Sequence, residues 1–265
     1  MKVLEGGSIM TRSAIRGVCT SILLAASLAA PQCFAVTREI TKTFPLQADG
    51  SFELSNVNGT VRIETWDKDE VEVRAVKTTS EKESALDLVS IDVNSRPDAL
   101  SISTRYPEQG GAEVAVEYTV HVPRRAHLNK LSTVNGTLRV MDAESIGDLH
   151  TVNGNIEVYE GSGNVHAHTT NGNVYLEWKH PADLHGASAE TTNGSVLLAI
   201  PADLRADLEA RCMNGSFSSE LPFVMRGADQ PRVLHGRLGH GSGVVPIHLG
   251  TVNGTIRIVA LKSTV

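Results

Sequence analysis

Aromatic residues are scarce in this chain, at 4% of its positions, and its 265 residues include 3 cysteines. A core built with few large rings must be filled by Val, Leu, Ile and Ala, which suits closely stacked strands. A surplus of positive charge is also missing. Against 24 Lys+Arg stand 30 Asp+Glu, a net charge of -6, which leaves no basic footprint for nucleic acid. Beyond residue 35 there is no apolar run approaching the roughly 20 residues that a membrane-spanning helix requires. Phosphate loops are absent, since no glycine-rich stretch is followed by Gly-Lys-Ser or Gly-Lys-Thr.

The one apolar run lies at the start. Met10 to Arg16 is basic, Val18 to Ala30 is apolar, and Cys33-Phe34-Ala35 places small residues at cleavage positions. This predicts a secretory signal peptide over 1–35, cut after Ala35, and a periplasmic or extracellular destination. The residues before Cys33 are Ala30-Pro31-Gln32 rather than a Leu-small-small run, so lipid anchoring is not expected. Cleavage leaves 265 - 35 = 230 residues with charge (24 - 3) - (30 - 1) = -8. Cys212 becomes the only thiol, so no internal disulfide can form and the fold must rest on packing and backbone ladders.

Repetition dominates the remainder. Asn-Gly occurs seven times, at Asn58-Gly59, Asn135-Gly136, Asn153-Gly154, Asn171-Gly172, Asn193-Gly194, Asn214-Gly215 and Asn253-Gly254. From Asn135 onward the spacings, by subtraction, are 18, 18, 22, 21 and 39. The last suggests a unit that has lost its Asn-Gly near Leu238 to Gly243. Two residues before the Asn stand Thr133, Thr151, Thr169, Thr191, Cys212 and Thr251; four before stand Leu131, Leu149, Ala167, Ala189, Ala210 and Leu249. Three and five residues after it come Leu138/Val140, Ile156/Val158, Val174/Leu176, Val196/Leu198 and Ile256/Ile258, with Phe217/Ser219 as the weak copy. These columns are inward-facing with a period of two.

Each unit therefore reads strand, Asn-Gly corner, strand, turn. Two architectures fit. Asn-Gly is the strongest short hairpin signal, because both residues tolerate positive φ in a type I′ turn, and an antiparallel meander or sandwich would follow. In a single-stranded parallel β-solenoid of about 18–22 residues per coil, the same dipeptide forms the corner of each coil. A hairpin has no use for Thr at a fixed place in five of six copies, whereas stacked Thr and Asn ladders do, so the all-β solenoid is favoured. Residues 36–125 form a β-rich cap with strands near Glu39–Leu46, Ser51–Leu54, Thr60–Thr65, Glu70–Val76, Val89–Val93, Ala99–Thr104 and Ala112–Val122. One short helix near 80–88 opens on a capping box of Ser80 and Glu83. Residues 126–265 carry the repeats, continuous with the cap as one domain. The last copy, Thr255 to Leu261, has no cap after it, so its edge is expected to meet another copy of the protein or the chain's own N-terminal strands.

The order of Leu54-Ser55-Asn56-Val57-Asn58-Gly59, Trp66-Asp67-Lys68-Asp69, a short helix, Tyr118 to Val122-Pro123 and then Thr-Val-Asn-Gly copies resembles the bacterial putative-adhesin family of β-strand repeats, over most of residues 37–260. The resemblance implies a β-solenoid in an exported or envelope-associated protein and lends no catalytic residues. The chain departs from the family's regularity between Phe217 and His240.

Chemistry is thin along the columns. His150, His166 and His168 are candidate ligands for zinc or copper if parallel stacking brings them together; the plainer reading is a solvated polar row continued by Ser132, Glu190 and Arg211. Carboxylates are scattered, and Glu157 reads as a cross-strand partner of Arg139. Gly239-His240-Gly241-Ser242-Gly243 is a near miss to a nucleophile elbow and reads as a loop. Cys212 reads as a buried small hydrophobe. Trp66 and Trp178 read as core caps rather than sugar platforms. The Asn-Gly-Thr/Ser matches at Asn58, Asn135, Asn193, Asn214 and Asn253 read as a by-product of the corner rather than glycosylation sites. No cofactor is expected. The leading function is a non-catalytic exported scaffold or adhesion module that binds an envelope component or protein partner. A polysaccharide-acting solenoid enzyme and a metal-binding periplasmic protein are the alternatives.

Overall fold

The computed structural model describes residues 35–108, 112–226, 232–239 and 245–261. The predicted signal peptide up to residue 34 and the glycine-rich segment from 240 to 243 lie outside the described residues. Among the described residues, no helix is long and apolar enough to cross a membrane.

The described residues are all-β, with 19 strands in one large, mostly parallel sheet. It opens with β1 (Val36–Pro45). The first repeat unit then runs from β2 (Ser51–Ser55) through Asn58-Gly59 to β3 (Val61–Trp66). Next come β4 (Glu70–Thr79), a 3-10 helix (Glu83–Leu88), the hairpin of β5 (Ser90–Arg96) and β6 (Ala99–Arg105), and β7 (Val114–Pro123). Four regular units follow: β8 (His127–Asn135) with β9 (Leu138–Met141), β10 (Ile146–Asn153) with β11 (Ile156–Tyr159), β12 (Gly163–Asn171) with β13 (Val174–Glu177), and β14 (Leu184–Asn193) with β15 (Val196–Pro201). β16 (Ala206–Ser219) and β19 (Val245–Leu261) each run unbroken through their own corners, separated by β17 (Phe223–Met225) and β18 (Val233–Leu238).

Strands before the corner stack in parallel as a first ladder, in the order β6, β2, β8, β10, β12, β14, β19, β16. Strands after it stack as a second, in the order β7, β3, β9, β11, β13, β15, β19, β16. Asn pairs with Asn and Thr with Thr from unit to unit. The antiparallel meander is thereby excluded for the repeats. Antiparallel pairing is confined to the ends: β5 on β6, β4 on β7 and β1 on β4 at one end, β18 on β16 and β17 on β18 at the other.

The corner explains why the dipeptide recurs. From Asn135 onward each corner Asn side-chain amide donates to the side-chain carbonyl oxygen of the Asn in the preceding unit of the stack, from Asn135 to Asn58 at 2.7 Å and onward through Asn153, Asn171, Asn193 and Asn253 to Asn214. The buried Thr hydroxyls donate to the carbonyl of the neighbouring corner Gly, Thr169 to Gly154 and Thr191 to Gly172 both at 2.9 Å. Glycine is required by proximity rather than by a turn dihedral: a Cβ on Gly172 would lie 1.9 Å from the Gly154 carbonyl oxygen. At the capped end Asn56 takes the Thr position, and its amide bridges the carbonyls of Gly59 and Val116. The apolar columns predicted from the sequence are buried between the ladders.

Two expectations are corrected. The lost corner expected near Leu238 to Gly243 falls largely outside the described residues; within the spacing of 39 the described β17–β18 hairpin folds back along β16. The C-terminal strand is not a free edge. β19 is inserted between β14/β15 and β16, so the spatial order of corners is Asn193, Asn253, Asn214. Finally, the short helix is a 3-10 helix whose N-cap is Lys82, without a side-chain cap hydrogen bond. Glu83 is drawn instead to Arg38, which also holds Asp87, and the Ser80 hydroxyl donates to Glu113. A capping box needs Glu83 to turn back, and the ion pair with Arg38 competes for it.

Candidate functional site

The strand period of two sends every second side chain of the first ladder outward. Because the register is continuous from five residues before the corner up to it, with shifts only earlier at Gly163/Asn164 and Phe52/Glu53, these residues form two straight rows. Three positions before the corner lie Ser55, Ser132, His150, His168, Glu190, Gly250 and Arg211. Five positions before it lie Glu53, Lys130, Asp148, His166, Ser188, His248 and Glu209, with His235 opposite Glu209. Three adjoining depressions of about 370, 350 and 200 Å³ run along these rows. The first is lined by Lys130, Asp148, His150, His166 and His168, the second by Ser188, Glu190, Glu209, Arg211, His248 and Gly250, and the third by Asp207, Arg226, His235 and His248.

The charges along the face are locally paired. His168 faces Glu190 at 3.7 Å and His248 faces Glu209 at 3.4 Å, while Arg211 also reaches Glu209. Burial, and then the neighbouring His168 and Lys130, hold the His150 imidazole below its usual value. Gly250 interrupts the row between Glu190 and Arg211 and leaves a notch there. This notch follows from the insertion of β19, since chain order would have set Glu190 directly beside Arg211.

The three candidate metal ligands lie on this one face, but they do not converge. The rings of His150 and His168 stack with centroids 5.4 Å apart and planes 6° from parallel. Imidazole lone pairs lie in the ring plane, so stacked rings aim theirs along parallel planes rather than at one point. His166 stands in the other row, in register with Asp148 and Ser188. Among the described residues, no group of three or more His, Cys, Asp or Glu is placed to hold a metal ion.

The remaining sequence candidates are also placed. Arg139 donates to Glu157 at 2.7 Å, as the column reading expects. Trp178 is fully buried, and Trp66 is half-buried, with its indole N–H donating to Glu70 and its ring beside His121 and Lys68. Cys212 departs from its expected burial and is only half-buried, because no further repeat unit covers it. Sequence reasoning missed the row of Asp148, His166, Ser188, His248 and Glu209 as a unit. The signal is present in the chain, since all five stand five residues before an Asn-Gly; the mixed chemistry of the row hides it, where the repeated His of the row three before does not.

Comparison with known proteins follows the same architecture. The family model Toastrack DUF4097 matches residues 38–259. Among solved structures, a putative cell adhesion protein from Clostridium sporogenes ATCC 15579 matches with a TM-score of 0.50 at 12% identity, covering 85% of this chain and 100% of that one. A putative adhesin from Bacteroides fragilis NCTC 9343 matches with a TM-score of 0.36 at 10% identity, covering 83% of this chain and 97% of that one. No curated protein matches the sequence.

Proposed function

Because the chain belongs to the Toastrack DUF4097 family, we propose that it is an exported, non-catalytic β-solenoid serving as a cell-envelope scaffold or adhesion module. Its ligand is an extended envelope polymer or protein partner, held on the outer face of the first ladder. The observation that carries this reading is the pair of polar rows, one of them notched at Gly250. With strands about 4.8 Å apart, the seven strands that carry the rows present hydroxyl, imidazole, carboxylate and guanidinium groups at a regular step over roughly 30 Å. A linear ligand can satisfy many weak contacts on such a face, which suits retention better than turnover.

The test uses residues 36–265 on native envelope fractions, beside variants His166→Ala, His248→Ala and Arg211→Ala. Retention of a defined component with intact glycans, weakened by the three variants, supports the reading. Shortened glycans would replace it with the enzyme alternative, and stoichiometric bound metal with the metal alternative. Retention that ignores all three substitutions would place the ligand elsewhere.

A further inference from the structure

The insertion of β19 makes β16 the last strand of the second ladder. Among the described residues, β18 pairs with β16 over Ala206–Arg211, the Cys212 amide donates to the Arg232 carbonyl, and no strand pairs with Asn214–Ser219 on the side away from β19. Asn214, Gly215, Ser216 and Ser218 are exposed. The backbone polarity of this edge can be read from the other units. The amides of Gly136 and Leu138, one and three residues after their Asn, donate outward to the next unit, and Glu220, six after its Asn, donates back to Ile258. Odd positions therefore point out of the stack. In β16 these are Gly215, Phe217 and Ser219, each offering an amide and a carbonyl to whatever lies beyond.

Sheet edges are normally protected by charge. β1, the outermost strand at the other end, carries Arg38, Glu39 and Lys42, and β5 carries Asp92 and Arg96. From Cys212 to Ser219 the β16 edge has no charged residue, and Met213 beside it is 46% exposed. The edge is also symmetric about Phe217. Two residues to either side lie the outward-pointing backbones of Gly215 and Ser219, and one residue to either side the outward-facing side chains of Ser216 and Ser218.

We propose that this edge is the contact between two copies of the chain, which pair antiparallel across a two-fold axis at Phe217. In that register Phe217 exchanges backbone hydrogen bonds with its own copy, Gly215 exchanges them with Ser219, and Ser216 faces Ser218. Six hydrogen bonds close, and the second ladder becomes continuous through both copies. An uncharged strand accepts itself as a neighbour, whereas β1 and β5 would set like charges near one another.

The test is sedimentation of residues 36–265 over a concentration series. The expected result is a monomer–dimer equilibrium. The S216K/S218K variant opposes lysines on both sides of the axis and is expected to abolish the dimer; S216K/S218E sets a lysine opposite a glutamate on each side and is expected to restore it. Hydrogen exchange at the Gly215 and Phe217 amides should slow as wild-type concentration rises, in parallel with dimer formation. Both variants change exposed side chains, and circular dichroism of each checks that the monomer is folded. A wild-type protein that stays monomeric throughout, or a dimer that the double-lysine variant leaves intact, would overturn the proposal.

Discussion

Asn193 accepts its ladder hydrogen bond from Asn253, 60 residues along the chain, at 2.8 Å, and not from Asn214, the next corner in sequence. Asn214 instead donates to Asn253 at 2.9 Å. The repeat units are alike enough that either copy could have followed Asn193. Their inward columns decide between them. The Asn253 copy offers Thr251, Ile256 and Ile258, all buried, whereas the Asn214 copy offers Cys212, Phe217 and Ser219 at the same positions. Placing the better apolar set inside and the weaker set at the end buries more surface, at roughly 25 cal/mol per Å².

Ending the chain at Gly254 tests that placement. The truncation removes Ile256 and Ile258, each worth about 1.5–3 kcal/mol when fully buried, and leaves β15 and the second half of β16 without their shared neighbour. The expected outcome is aggregation, or selective proteolysis of 206–226, seen by size exclusion and timed trypsin digestion. A soluble monomer with the wild-type unfolding midpoint would contradict the inserted position of β19.

The Thr ladder predicts a graded series. Thr169→Val keeps the shape but leaves the part-buried Gly154 carbonyl without its hydroxyl donor, at a cost of about 0.5–1.5 kcal/mol. Thr169→Ser should recover most of that. At the open end Cys212 holds the same place with its sulfur 3.5 Å from the Gly254 carbonyl. Cys212→Thr supplies a proper donor there and is expected to stabilise by about 0.5–1 kcal/mol. Urea unfolding of the three variants checks the order.

Much of this was legible in the sequence. The stacked register, the buried Thr and aliphatic columns and the Arg139–Glu157 pair all follow from aligning the copies on Asn-Gly, because a parallel stack repeats each position one strand away. The order of the stack was not legible in the same way. Local spacing is blind to which of two similar units docks first, and that choice depends on the summed burial of Ile256 and Ile258 against Phe217 and Ser219. The open edge at β16 and the Gly250 notch both descend from it. The cap at Ser80 failed for a related reason, since Glu83 finds Arg38 from a strand 45 residues away.

Corner glycines should divide by what a Cβ would strike. In Gly172→Ala the methyl would fall 1.9 Å from the Gly154 carbonyl oxygen, so backbone must move in two adjacent units, at a cost on the order of 3 kcal/mol or more. In Gly250→Ala it would meet only the flexible Glu190 side chain, at 3.3 Å, and a change within about 0.5 kcal/mol is expected. Equal effects in thermal unfolding would mean that the corner tolerates a wider stack than the close contact allows.

The stacked imidazoles predict a sensitivity to acid. The His150 value lies below the ordinary 6.5, through burial first and the facing His168 and Lys130 next. Above about pH 6.5 the ring is neutral in both folded and unfolded chains, so it contributes no pH dependence. As the pH falls through 6.5 the unfolded chain takes up the proton before the folded one does, and stability declines until the depressed folded value is passed. Below that the loss is constant. His150→Gln removes the titrating group while keeping a polar side chain on the exposed row, so its stability relative to wild type should rise between pH 7.5 and 5. Urea midpoints of both proteins across that range measure the difference. Parallel curves would show that His150 does not resist protonation.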